Sequence, residues 1–123
     1  MKAGINKKRT DWPKEKNVYT VQCPILLTLE TISGKWKLPI LWRLCGYESV
    51  RYNELKRQVA GITNAMLTKC LRELEKADVI SRKQYDEVPP RVEYALTKNG
   101  AALIPALKKL YDWGAKQIEA QAG

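Results

Sequence analysis

The chain has 123 residues, enough for one domain and too few for two with adequate cores, and 45% of them are hydrophobic, ordinary for a globular fold. Twenty-two lysines and arginines against 13 acids give +9 at neutral pH and a pI near 9.6, a balance that draws polyanions such as nucleic acid or anionic membrane. With no histidine and three cysteines that form neither a CxxC pair nor a disulfide framework, mixed Cys/His zinc sites and histidine catalysis are excluded, and a reducing cytoplasm is the expected compartment.

No apolar run approaches the roughly 18 to 20 residues that cross a bilayer. Residues 1–16 carry six bases and two acids, +4 of the total, with Ile5 and Trp12 as their only sizeable apolar groups. They read as a flexible basic arm with Trp12 as its one anchor, without the apolar stretch of a secretory signal or the apolar face of a membrane anchor. Residues 17–123 read as a single domain.

A first helix is expected from Cys23-Pro24, since proline suits the first helical position, with Ile25, Leu26, Leu29 and Ile32 at helical spacing. Ser33-Gly34 ends it. A second runs over Lys35–Leu44, and a third, short one over Asn53–Val59 with Asn53 as its cap. Ala60-Gly61-Ile62 makes a turn, and Thr63 caps a fourth helix reaching about Ala77. Met66, Leu67, Cys70, Leu71 and Leu74 form one apolar stripe on it, leaving Asn64, Ala65, Thr68, Lys69 and Arg72 on the other side. The period then changes to two. Ile80–Tyr85 and Arg91–Leu96 read as strands joined by a tip at residues 86–90, whose Pro89-Pro90 cannot continue a ladder. Thr97 caps a last helix over Lys98–Gln121, bent by the internal Pro105.

This order describes a mainly α fold with a small β-hairpin, a winged helix-turn-helix. The fourth helix is the expected reader of double-stranded DNA, its polar face small enough for a major groove about 12 Å wide. Thr63 sets its N-terminus toward phosphate. Asn64 suits an adenine edge, Lys69 or Arg72 guanine or phosphate, and Ala65 and the Thr68 methyl suit thymine methyls. Arg82, Lys83 and Arg91 on the hairpin are expected at the adjacent backbone or minor groove. The same features have plainer readings. A striped charged helix is often only a surface helix, and a basic hairpin can simply protect a sheet edge from aggregation.

The segments CPILLTLETISG and GKWKLPILWRL, then RYNELKRQVAGITNAMLTKCLRELEKADVISRKQYDEVPPRVEYALTKNG and the closing Asp112-Trp113-Gly114, resemble the HxlR-type winged-helix regulators, relatives of the MarR-like group. The resemblance spans Cys23–Gly114, about three-quarters of the chain. It implies a homodimeric bacterial or archaeal regulator that binds inverted-repeat operators through its fourth helix and pairs through its first and last helices. Leu26, Leu103, Leu107, Leu110 and Trp113 agree with pairing, since they exceed what one small core needs. The resemblance also implies that Cys23, at the CP position, can sense a small electrophile or oxidant. A helix N-terminus there favours a thiolate, whereas the alternative is a small buried packing residue. Neither cofactor nor metal is implied. A Gly-rich phosphate loop and a recognisable carboxylate pair are both missing, so an enzyme is not expected. The competing reading is a protein–protein adaptor built on the same scaffold without DNA binding.

Overall fold

The computed structural model describes residues 9–12 and 23–122. Most of the expected arm, residues 1–16, lies outside these. Within it Trp12 is exposed and so is not docked as an anchor.

Helices α1 (Pro24–Ile32) and α2 (Lys37–Cys45) lead to a two-residue strand β1 (Val50–Arg51), α3 (Tyr52–Gln58) and α4 (Asn64–Lys76). Strands β2 (Ile80–Tyr85) and β3 (Arg91–Leu96) form the hairpin, and α5 (Lys98–Ala101) and α6 (Ile104–Ala122) close the chain. The core joins Ile40, Leu41 and Leu44 of α2, Leu55 of α3, and Leu67, Leu71 and Leu74 of α4. Fully burying one such side chain contributes about 1.5–3 kcal/mol, so the α4 stripe alone commits that helix to one rotation about its axis.

The turn before α4 depends on Gly61, whose φ of 86° lies in the left-handed region that favours glycine. Thr63 then caps α4, its Oγ1 accepting the Met66 N–H at 3.1 Å. At the other end Asp78 takes a left-handed φ of 60°, and the Val79 N–H returns to the Leu74 carbonyl at 3.0 Å, which stops the helix and turns the chain into β2. The hairpin pairs in register from Ile80 opposite Leu96 to Tyr85 opposite Arg91.

Three features depart from the sequence expectation. The sheet has three strands in the order β1-β3-β2, because Val50 and Arg51 pair with Tyr94 and Glu93. Since β1 runs directly into α3, extended Arg51 occupies the N-cap and Asn53 lies within the first turn. The last helix is two helices. Thr97 caps α5 as expected, accepting the Gly100 N–H at 2.9 Å. The Leu103 N–H then bonds the Gly100 carbonyl, a tighter turn that breaks the helical run. Pro105 becomes the second residue of α6, where its missing N–H is tolerated, so it opens a helix instead of bending one.

The α5 turn is clamped to the α4–β2 turn. Thr97 Oγ1 donates to the Asp78 carbonyl at 2.6 Å, and Gly100 sits so close beneath Val79 that an added Cβ would stand 2.0 Å from its carbonyl oxygen. Gly100→Ala should therefore cost about 1–3 kcal/mol through overpacking. A urea midpoint equal to the parent's would show that the backbone there yields freely.

Candidate nucleic-acid interface

Burial of Leu67, Cys70, Leu71 and Leu74 turns the opposite side of α4 outward. Asn64, Ala65, Thr68, Lys69 and Arg72 share one shallow surface of about 530 Å³ with Glu73, so the five expected reading positions on α4 are brought together. All are exposed except half-buried Thr68. Glu73 is drawn to Lys37 of α2, with Nζ and Oε1 3.7 Å apart. Lys69 and Arg72 have no ion pair among the described residues. Exposed Thr63 serves as the cap, leaving the Asn64 and Ala65 N–H groups at the positive end of the helix dipole.

A second, deeper cleft of about 720 Å³ joins this face to the wing. Thr68 and Arg72 of α4 line it together with Arg82, Arg91 and the Pro89-Pro90 tip. Arg51 and Asn53 line it as well, and sequence reasoning missed both. Asn53 reads in the sequence as a helix cap, and the strand that positions Arg51 is too short to leave a periodic signal.

The three wing bases differ in availability. Arg82 Nη2 donates to Gln84 Oε1 at 3.2 Å, a neutral partner that leaves its charge uncompensated. Lys83 Nζ lies 4.8 Å from the Tyr85 ring centroid and has no acidic partner among the described residues. Arg91 is engaged from several sides. Its Nε lies 3.1 Å from carboxylate oxygens of both Glu87 and Glu93, and its guanidinium carbon sits 3.9 Å from the Tyr85 centroid. Glu93 also approaches Arg51 Nε at 3.9 Å and accepts the Ser49 hydroxyl at 2.8 Å. Arg91 is thus part of the wing's internal framework, its charge balanced by two acids, and Arg82 and Lys83 carry the wing's outward positive field.

Cys23 is the N-cap of α1, its carbonyl accepting the Leu27 N–H at 2.9 Å, and the residue is only 3% exposed. It stands outside the main core cluster. Burial pushes the Cys45 thiol up from its ordinary pKa. The Cys70 thiol is raised first by burial and then by the neighbouring Glu73. Among the described residues no cluster of histidine, cysteine or acid side chains is set to hold a metal, and no helix is long and apolar enough to cross a membrane.

A capped, outward-facing helix carrying Lys69 and Arg72, beside a hairpin carrying Arg82 and Lys83, defines a winged helix-turn-helix DNA-binding regulator. The profile of the HxlR-like helix-turn-helix family matches residues 31–122. An uncharacterised HTH-type transcriptional regulator of Halalkalibacterium halodurans is 43% identical over 103 residues, 84% of this chain and 89% of its own length. The solved structure of the HTH-type regulator YtcD superposes with a TM-score of 0.74 at 46% identity, covering 79% of this chain and 98% of that one. The redox regulator HypR in its reduced form gives a TM-score of 0.75 at 37% identity, over 80% and 97% of the two chains. The chain belongs to the HxlR-like helix-turn-helix family. It is a transcriptional regulator and not an enzyme.

Proposed function

We propose that the protein binds an inverted-repeat operator as a homodimer, each copy laying α4 in a major groove and resting its wing on the flanking backbone. The observation that carries this reading is the gathering of Asn64, Ala65, Thr68, Lys69 and Arg72 on one exposed helix face whose acid, Glu73, is already paired. Asn64 is short and sits near the capped end, so it reads a base edge, while Lys69 and Arg72 reach guanine or phosphate. Ala65 and Thr68 offer small apolar groups to thymine methyls. Thr63 presents the helix N-terminus, and Arg82 and Lys83 meet phosphates that fix register without reading sequence. Arg91 shapes the wing that carries them.

Pairing is supported by α6. This helix has 19 residues and buries one, Leu107. Beyond it Leu110, Tyr111, Trp113 (67% exposed) and Ile118 (70% exposed) face solvent, as do Ile25, Leu26 and Leu29 on α1. Helices gain most of their stability from packing an apolar face, and one buried anchor does not supply that here. A second copy does, through a contact in which the same patch serves both partners. Of the expected excess apolar groups, Leu107 is buried in the chain's own core and Leu103 packs against it, so Leu26, Leu110 and Trp113 are the ones left for the partner.

Cys23 supports a second reading, regulation by a small electrophile or oxidant. It rests on the likeness to the redox regulator HypR and on the helix N-terminal position, and burial of the thiol supports the packing role in its place.

Asn64→Ala should cost roughly 1–3 kcal/mol on the preferred operator and relax preference at one base position. Lys83→Ala should weaken all duplexes alike and reduce the slope of log K against log salt by about one. Both are read from preference profiles and salt titrations on sequences recovered from a random duplex library. An absence of salt-dependent binding to duplex DNA would transfer the case to a protein–protein adaptor. Light scattering at micromolar concentration should return about twice 14.1 kDa, and a persistent monomer would refute the pairing. If Cys23 senses, mild alkylation should modify it ahead of Cys45 and Cys70 and change DNA affinity. Protection of Cys23 in native peptide mapping would leave it a packing residue.

A further inference from the structure

Tyr52, the first residue of α3, sends its hydroxyl to the start of α4. Its oxygen lies 3.1 Å from the Asn64 carbonyl, 3.4 Å from Asn64 Oδ1 and 3.1 Å from Thr68 Oγ1. A phenol has one hydrogen to give. Both Asn64 oxygens can only accept, so that hydrogen is shared between them, the backbone carbonyl at 3.1 Å taking the shorter contact and Oδ1 at 3.4 Å the longer one. The Thr68 hydroxyl then supplies its own hydrogen to the Tyr52 oxygen. The Tyr52 ring is half-buried and packs against the core, so the position of this hydroxyl is set by the fold before any ligand arrives.

We propose that Tyr52 is a positioning residue for DNA reading, orienting the Asn64 carboxamide and the Thr68 hydroxyl so that α4 meets bases with amide N–H groups and a methyl. The inference rests on α4 being the reader. With Oδ1 turned toward Tyr52, Asn64 offers its Nδ2 donors, which suit acceptors such as purine N7 or guanine O6. With its hydroxyl committed to Tyr52, Thr68 has one χ1 setting favoured and its methyl is the group left for a thymine methyl. Holding both side chains in advance lowers the ordering cost of binding.

Tyr52→Phe removes only the hydroxyl and keeps the packed ring. The intact protein, Tyr52→Phe, Asn64→Ala and the double variant are compared on the same duplex library and in salt titrations. Tyr52→Phe should reduce discrimination about three- to tenfold at the base position that Asn64→Ala affects, the range set by loss of one hydrogen bond. The salt slope should stay at the parent value, and Asn64→Ala should relax that position little further in the Tyr52→Phe background. If Tyr52→Phe weakens every duplex equally, or leaves the profile intact while Asn64→Ala flattens it, Tyr52 only supports the fold and the proposal is overturned. If Asn64→Ala itself leaves the profile unchanged, the reading role of Asn64 falls, and this proposal with it.

Discussion

A helix that buries one stripe has no freedom over the face it exposes. Leu67, Cys70, Leu71 and Leu74 recur at the helical period and all enter the core of this protein. Sliding or rolling α4 by one residue would expose leucines and bury Lys69 or Arg72, a change costing several kcal/mol from the apolar loss alone. The polar face is therefore held by packing at a distance from any ligand. The rest of the molecule elaborates on that constraint. Gly61 lets α3 turn sharply into α4, Thr63 fixes where α4 begins, and Asp78 fixes where it stops and the wing starts.

Charge in the wing is divided between structure and outward field. Glu93 lies at the meeting point of β1 and β3, where it gathers Arg51, Arg91 and Ser49. Arg91 is held further by Glu87 and by the face of Tyr85. These contacts tie a two-residue strand and a hairpin into one body despite very little apolar area at the tip. Arg82 and Lys83 stand outside this network. A net-charge count treats all these bases alike, yet Glu93 stands opposite Lys83 in the register while its carboxylate engages Arg51, Arg91 and Ser49.

The C-terminal half of α6 is another consequence of a small core. Leu107 reaches the core and Tyr111 stacks on Trp42 at a centroid distance of 5.1 Å. Past these contacts the helix keeps apolar side chains that face solvent, Trp113 and Ile118 among them. Exposed apolar side chains gathered on one helix are unusual on a monomer.

Features that depend on neighbours along the chain can be read from the residues alone. The Thr63 and Thr97 caps, the Gly61 turn, the α4 stripe and the span of the hairpin are all set by residues within about one helical turn or by strict alternation, and all were legible. The polar face of α4 was legible for the same reason, since periodicity that fixes the buried side fixes the exposed side too. The remaining features come from contacts between distant parts of the chain. Strand β1 exists only because Val50 and Arg51 meet Tyr94 and Glu93, more than forty positions away. That pairing moved the α3 cap from Asn53 to Arg51. The last helix broke near Leu103 because α5 is pinned to the α4–β2 turn through Thr97 and Gly100, a clamp with no periodic signature. Arg91 came beside Glu87 and Glu93, and the Tyr52 hydroxyl came to Asn64 and Thr68 across the turn between two helices. Hydrogen bonds and ion pairs between distant residues leave no spacing in the chain, because their geometry is fixed only once the core has placed both partners.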